Sequence, residues 1–331
     1  MTSETDHLSL VPRTPLEIAR LDSGIIQRGL TLIDALNPFE PNTTLGNLEI
    51  AGSHQDGVPC VAFSNNGLWF ATASWDNSAC IWSLSERKVV SQLHGHRGKI
   101  RKVCFLGDTN QVITAGEDKV ALIWDALKTT LLGEMTDVNI IAISPNGKWA
   151  LSSDWSFGTQ LIDIEDKKKL SSFGWNVTQI QTAGFCPEAT SMVTGGRDGS
   201  VLIWDLKTKR FHPCEGHNDW VWSVQYNREG TEFLTTSADG TILLHERGSQ
   251  KGARLFVGHQ KSVFCGNFVG HGKYIISSSA DGTIRLWDIQ SCEPIHSYDV
   301  ESEVVSMAVR HDNQMILCGC RNGKVLLYKL Y

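Results

Sequence analysis

Proline is scarce in this chain and cysteine is nowhere arranged for a job. The nine cysteines, Cys60, Cys80, Cys104, Cys186, Cys214, Cys265, Cys292, Cys318 and Cys320, contain no CxxC and no paired zinc spacing, so they read as small apolar core residues of a reducing compartment. No run approaches the roughly 18 apolar residues needed to span a bilayer, and MTSETDHLSLVPRTP lacks the basic start and apolar stretch of a secretory leader. An intracellular protein, cytoplasmic or nuclear, is therefore expected. An excess of positive charge is missing too: 30 Lys+Arg stand against 36 Asp+Glu, a formal net charge of -6, which argues against a large phosphate-neutralising surface while leaving room for a local basic patch. GxxxxGK[ST], GxSxG and HExxH are all absent.

What is there in excess is 11 Trp and 30 Gly beside 9 Pro in 331 residues, a mix that asks for a repeated structural reason. Length alone, at about 150 residues per domain, suggests two domains. A period replaces that expectation. ACIWSL, ALIWDA, VLIWDL and IRLWDI carry anchors at Trp82, Trp124, Trp204 and Trp287, and weaker copies carry Ile162, His245 and Tyr328, at spacings of 38 to 42 residues. Six residues before the anchors stand Asp76, Asp118, Ser156, Asp198, Asp239, Asp281 and Asn322. Twenty-eight before them stand His54, His96, His217 and His259 in four units, and Glu134, Asn176 and Val300 in the other three. Between landmarks the residues alternate with period two and are broken by NNG, PNG, REG and ADG turns, which predicts four short strands per unit. Such a unit cannot bury both faces alone; stacking seven of them around an axis does so.

Gly-His, an Asp in a tight turn and Trp-Asp at this period resemble the WD-repeat β-propellers, over residues of about 44 to 331. The resemblance implies an all-β fold, a seven-bladed β-propeller of four-stranded antiparallel blades, after an extension over 1–43. The last unit ends on its third strand, so residues near 45–51 are expected to pair with the C-terminal strand and close the ring. The family also implies a hydrogen-bonded network in each blade. Carried over, unit 1 has His54, Ser74, Asp76 and Trp82, and unit 6 has His259, Ser279, Asp281 and Trp287. Unit 2 has His96, Asp118 and Trp124 but Gly116 at the Ser position; unit 4 keeps Asp198 and Trp204; unit 5 keeps His217 and Asp239, with His245 for Trp. Units 3 and 7 retain almost none of it and are expected to be the softer blades.

Ser, His and Asp recurring blade after blade are explained by structure, not by a hydrolase triad. No catalytic, cofactor or metal residue is assigned, and the reading is a non-enzymatic scaffold that binds peptide segments or other proteins in a multiprotein complex. Seven tryptophans need separate explanation. Trp69 and Trp149 follow turns and are read as packing on blades. Trp75 and Trp155 precede the turn landmark, where Glu117, Arg197 and Arg321 stand in other units. Trp220, Trp222 and Phe264 bracket first-strand starts, and Trp175 lies in the matching loop of unit 4. With Arg101 and Lys99 these form a candidate rim at the channel mouth for a peptide with a basic or hydrophobic anchor. A histone- or nucleic-acid-associated reader using the same rim is the alternative, with direct nucleic-acid binding the weaker claim. Thr14-Pro15-Leu16-Glu17 reads as a helix start, and Leu21, Ile25, Ile26, Leu30, Ile33 and Leu36 form a stripe on one helix or on two short ones. Residues 15–36 are expected to lie on the propeller's own side or against a partner helix.

Overall fold

The computed structural model describes residues 46–153, 158–173, 179–249, 252–300 and 302–330, with side chains from residue 53 onward. The extension over 1–43 with its 15–36 stripe, Trp155 and Trp175 lie outside the described residues. Within them every regular element is a β-strand, numbered β1 to β28 in chain order, and no helix is long and apolar enough to cross a membrane.

The strands form seven four-stranded antiparallel sheets. Blade 1 is the pattern for the others: β2 (Cys60–Phe63), β3 (Trp69–Ala73), β4 (Ser78–Ser83) and β5 (Lys88–His94) follow in order as hairpins. The first strand of each blade packs beside the first strand of the next, and β26 (Val304–Val309) returns to β2, so the first strands form the inner wall of a closed ring. Closure is as expected. The chain's first strand, β1 (Gly46–Ser53), is the outer strand of blade 7 and pairs antiparallel with β28 (Lys324–Lys329), Gly46 opposite Lys329 and Leu48 opposite Leu327.

Alternation gives each sheet two apolar faces, and the core lies between blades. Ala71, Ala73, Ile81 and Leu93 of blade 1 pack against Val103, Leu122 and Trp124 of blade 2, while the opposite face carries Trp82 against Leu317, Val325 and Leu327 of blade 7. Each such indole removes roughly 150–250 Å² from water, which at about 25 cal/mol per Å² contributes at most about 4–6 kcal/mol. Trp69 and Trp149, as read from the sequence, pack half-buried on these clusters.

In six blades the turn after the landmark holds a left-handed residue. Asn77, Lys119, Gly199, Gly240, Gly282 and Gly323 all have φ between +61° and +86°. At Gly199 a methyl would stand 2.1 Å from the His217 carbonyl, and at Gly323 2.3 Å from that of His54. Only glycine fits those two places, because the incoming loop of the next blade lies directly on the turn.

Candidate partner-binding face

The landmarks assemble in blade 1 as a directed chain of hydrogen bonds. Trp82 Nε1–H donates to Thr72 Oγ1 (2.9 Å), and the Thr72 hydroxyl donates to His54 Nε2 (2.7 Å). His54 Nδ1–H in turn donates to the Asp76 carboxylate (3.0 Å), which can only accept and so sets the tautomer. The same chain runs through Trp124, Thr114, His96 and Asp118 in blade 2 and through Trp287, Ser277, His259 and Asp281 in blade 6.

This differs from the assignment of Ser74 and Ser279 to the network. The joining hydroxyl stands ten residues before the anchor, not eight, because only there does the strand bring it between the indole and the imidazole. Ser74 and Ser279 instead brace the Asp turn. Ser74 Oγ accepts from Asp76 N–H (3.1 Å) and donates to the Asp56 carbonyl (3.0 Å), and Ser279 does the same with Asp281 and Lys261. Blade 2 is therefore complete despite Gly116. Blade 4 keeps Trp204 on Thr194 (2.9 Å), with Asp198 capping its own turn. In blade 5 His217 meets Thr235 (2.8 Å) and Asp239 (3.2 Å), and His245 takes the anchor's place, stacked on Phe233.

Burial holds His54 and His259 below the usual imidazole range against the pull of Asp76 and Asp281, so both are neutral links. Burial alone would raise the Asp76 carboxyl; hydrogen bonds from Ser78 and Gln55, with the His54 ring beside it, outweigh that and hold it low. These residues are committed to each other, and nothing in them is poised as a nucleophile.

Nearer the axis a second repeated bond defines the rim. In the six blades where it is described, the residue before the turn landmark donates its backbone N–H to the carbonyl 18 positions upstream: Trp75 to Gly57, Glu117 to Lys99, Arg197 to Gln179, Ala238 to Trp220, Ala280 to Ser262 and Arg321 to Glu303. These pairs stand at the entrances of the inner strands, one after another around the mouth of the ring.

The structure brings most of the candidate rim residues together here. Arg197 Cζ lies 4.4 Å from the centroid of Trp220, Trp220 lies 5.5 Å from Trp222, and Trp222 meets Phe264 edge-on at 5.8 Å. One half-buried ladder thus crosses blades 4, 5 and 6. Across the mouth Lys99 Nζ stands 5.2 Å over Trp75. Arg101 forms an ion pair with Glu117, and Arg321 with Glu303 (2.8 Å). Gln181 receives Arg197 Nε–H at 3.1 Å, and burial, with Arg101 nearby, draws Arg197 below the usual guanidinium range. Glu303 and Gln181 were not singled out by the sequence reading; each sits in register with a residue that was, Glu303 with Trp220 and Gln181 with Trp222. Among the described residues, Trp75 Nε1 and Trp222 Nε1 are buried donors with no partner, each a cost of about 1–3 kcal/mol.

Five segments, 45–83, 87–125, 167–205, 208–246 and 251–288, match the family described as WD domain, G-beta repeat. They end just beyond the anchors Trp82, Trp124, Trp204, His245 and Trp287; the anchors Ile162 and Tyr328 and the three inner strands of their blades are outside them. The chain is 22% identical over 268 residues to a ribosome biogenesis protein WDR12 homolog of Drosophila persimilis, covering 72% of this chain and 63% of that protein. It is 24% identical over 298 residues to DDB1- and CUL4-associated factor 13 of Xenopus laevis, covering 83% and 65%, and 22% identical over 284 residues to SIR4-interacting protein SIF2 of Saccharomyces cerevisiae, covering 85% and 48%. The match thus spans about half to two thirds of these relatives' length.

Proposed function

The chain belongs to the WD40 repeat family, and from that premise we propose that it is a non-enzymatic, intracellular interaction scaffold that holds a partner's peptide segment across the channel mouth. The observation that carries this reading is the ladder Arg197–Trp220–Trp222–Phe264. Three aromatics and an arginine from three blades, left half-buried at one end of the ring, are the residue types that dominate interface hot spots. The names of the relatives, an associated factor and an interacting protein among them, fit an adaptor role.

Of the basic or hydrophobic anchor suggested by sequence, the chemistry of the mouth disfavours the basic one and favours a segment that carries carboxylates. Glu117 and Glu303 are occupied by Arg101 and Arg321. Lys99, lying on Trp75, has no carboxylate within ion-pair distance among the described residues. Single-stranded nucleic acid finds less here, because Arg197 already lies over the Trp220 ring and the chain carries a formal net charge of -6.

The test is to pan a random dodecapeptide phage library on the full chain. Selected peptides should be enriched in Asp and Glu, and they should lose binding to a folded Trp75→Ala/Trp222→Ala variant and to Lys99→Glu. Selected peptides that bind the double variant unchanged would refute the mouth as the site; enrichment in Lys and Arg would refute its preference.

A further inference from the structure

The inner wall of the ring carries charge of one sign only. The seven inner strands, every fourth strand from β2 to β26, contain no Asp, Glu or His, and their only charged residues are Arg101 and Lys102 on β6 (Ile100–Phe105). This stands out in a chain whose formal net charge is -6. The pairing of β6 with β7 (Gln111–Gly116) shifts register between Ile100 and Lys102, and a bulge of this kind re-aims the side chain of its extra residue, Arg101. Matching shifts in blades 4, 5 and 6 set Gln181, Trp222 and Phe264 at the same level. Lys102 therefore follows one residue further along the inner wall than the aromatic ladder of the mouth.

The two cations differ in what they meet. Arg101 pairs with Glu117, whereas Lys102, half-buried, has no carboxylate within ion-pair distance among the described residues. Packing does not ask for a lysine there. In five other blades the matching position holds Cys60, Thr182, Ser223, Cys265 and Ser306, and the Cys60 thiol and Ser306 hydroxyl donate to the Val103 and Val58 carbonyls of the next blade. The Lys102 charge also reaches across the ring. Burial pushes up the thiols of Cys104 on β6 and of Cys265 in blade 6, and the ammonium works against that at both. In such a half-buried wall a cation gains more from an adjacent anion than it does in open water. One positive charge matches one carboxylate, and a phosphate dianion would keep a charge uncompensated.

We propose that Lys102 receives a carboxylate that the segment held at the mouth lowers into the channel, in a charge-assisted hydrogen bond. The carboxylate belongs to an Asp or Glu side chain or to the segment's own C-terminus. This inference rests on the mouth as the partner site and adds the group that anchors the segment there.

The test is NMR titration of the full chain, isotope-labelled at lysine, the Lys102 signal being the one lost in Lys102→Arg. N-acetyl-aspartate methylamide presents a side-chain carboxylate and N-acetylglycine a chain end. One of them should shift Lys102 saturably, with Kd on the order of 10 mM for a single charged contact, and the tighter of the two names the source. N-acetyl-asparagine methylamide, which has the shape without the charge, should leave the signal in place. With a library-selected peptide, amidating the anchoring carboxylate should weaken binding to the native chain at least about tenfold, and binding to Lys102→Gln by less than about twofold. No saturable shift with either carboxylate, tighter binding of inorganic phosphate than of both, or equal sensitivity to amidation in a folded Lys102→Gln would each overturn the proposal; if that variant fails to fold, the small probes decide. A peptide that binds Trp75→Ala/Trp222→Ala unchanged refutes the mouth instead, so the two failures are told apart.

Discussion

The two ends of the ring solve the same problem in different ways. At the end away from the mouth, the turns are held mostly by local bonds. Ser64 Oγ and Asn66 Oδ1 close one, Ser144 and Asn146 another, Asn227 and Thr231 a third, and Asp205 and Asp288 accept from Thr208 and Ser291 within three residues. At the mouth end the bonds reach far along the chain: Thr72 and Ser74 to residues 18 away, Asp76 to His54 22 away. These turns close largely on themselves, although Asn65 reaches Asp108 and Arg247 reaches Glu188 and Thr190 at the same end. The mouth is built from loops of successive blades, and there Trp220, Trp222 and Phe264 stand half-buried beside Arg197. Among the described residues, buried donors without a partner occur at both ends, Trp75 and Trp222 at the mouth and Tyr226 at the far end, so the ends differ in how far along the chain their bonds reach.

The largest effect should come from cutting a long-range link. Thr114→Val strands Trp124 Nε1–H and His96 Nε2 inside blade 2 and should cost about 2–4 kcal/mol in urea unfolding. Asn66→Ala at the opposite, exposed end should cost about 1 kcal/mol or less. If the two costs are equal, the contrast between the ends fails.

Acid should act next, on the buried histidine of blade 5. His245 is held down to about 4 by burial, from 6.5 in the unfolded chain. Between those values the unfolded chain binds the extra proton, so stability is full above about pH 6.5 and falls as pH drops towards 4, by at most about 3 kcal/mol. His245→Phe should flatten this slope in unfolding measured across that window. The carboxyls of Asp76, Asp118, Asp239 and Asp281 are all held low, so their contribution is lost only below about pH 4.

For binding, Trp222→Ala should weaken the library-selected peptide by about 2 kcal/mol, roughly thirtyfold, in fluorescence anisotropy. Leu68→Ala, an exposed residue at the far end, should leave affinity unchanged. The smallest effect separates blades within the mouth end. Blades 3 and 7, with Ile162 and Tyr328 as anchors and Cys318 where blade 1 has Thr72, should exchange their strand amides faster than blades 1, 2 and 6.

The ring was legible because seven anchors recur at a nearly constant period and alternation forces stacking. Its closure was legible because the last unit runs out of chain one strand short. The network hydroxyl was misplaced because positions eight and ten before the anchor lie on the same side of a strand, where alternation cannot separate them. The column Thr72, Thr114, Ser152, Thr194, Thr235, Ser277, Cys318 is the more uniform of the two, and the one at eight, which includes Gly116 and Gly196, is not. The rim residues were found by counting tryptophans beyond those the repeat needs. Their pairings, such as Arg101 with Glu117 16 residues on, depend on a backbone bond that spacing does not reveal.

The most direct test of the mouth as the partner face is amide exchange of the full chain with and without the library-selected peptide at saturation. Protection should appear at 99–101, 197, 220–222 and 264, and not at the far-end turns 64–68, 144–148 and 227–231. Protection at those far-end turns, with the rim unchanged, would contradict the account.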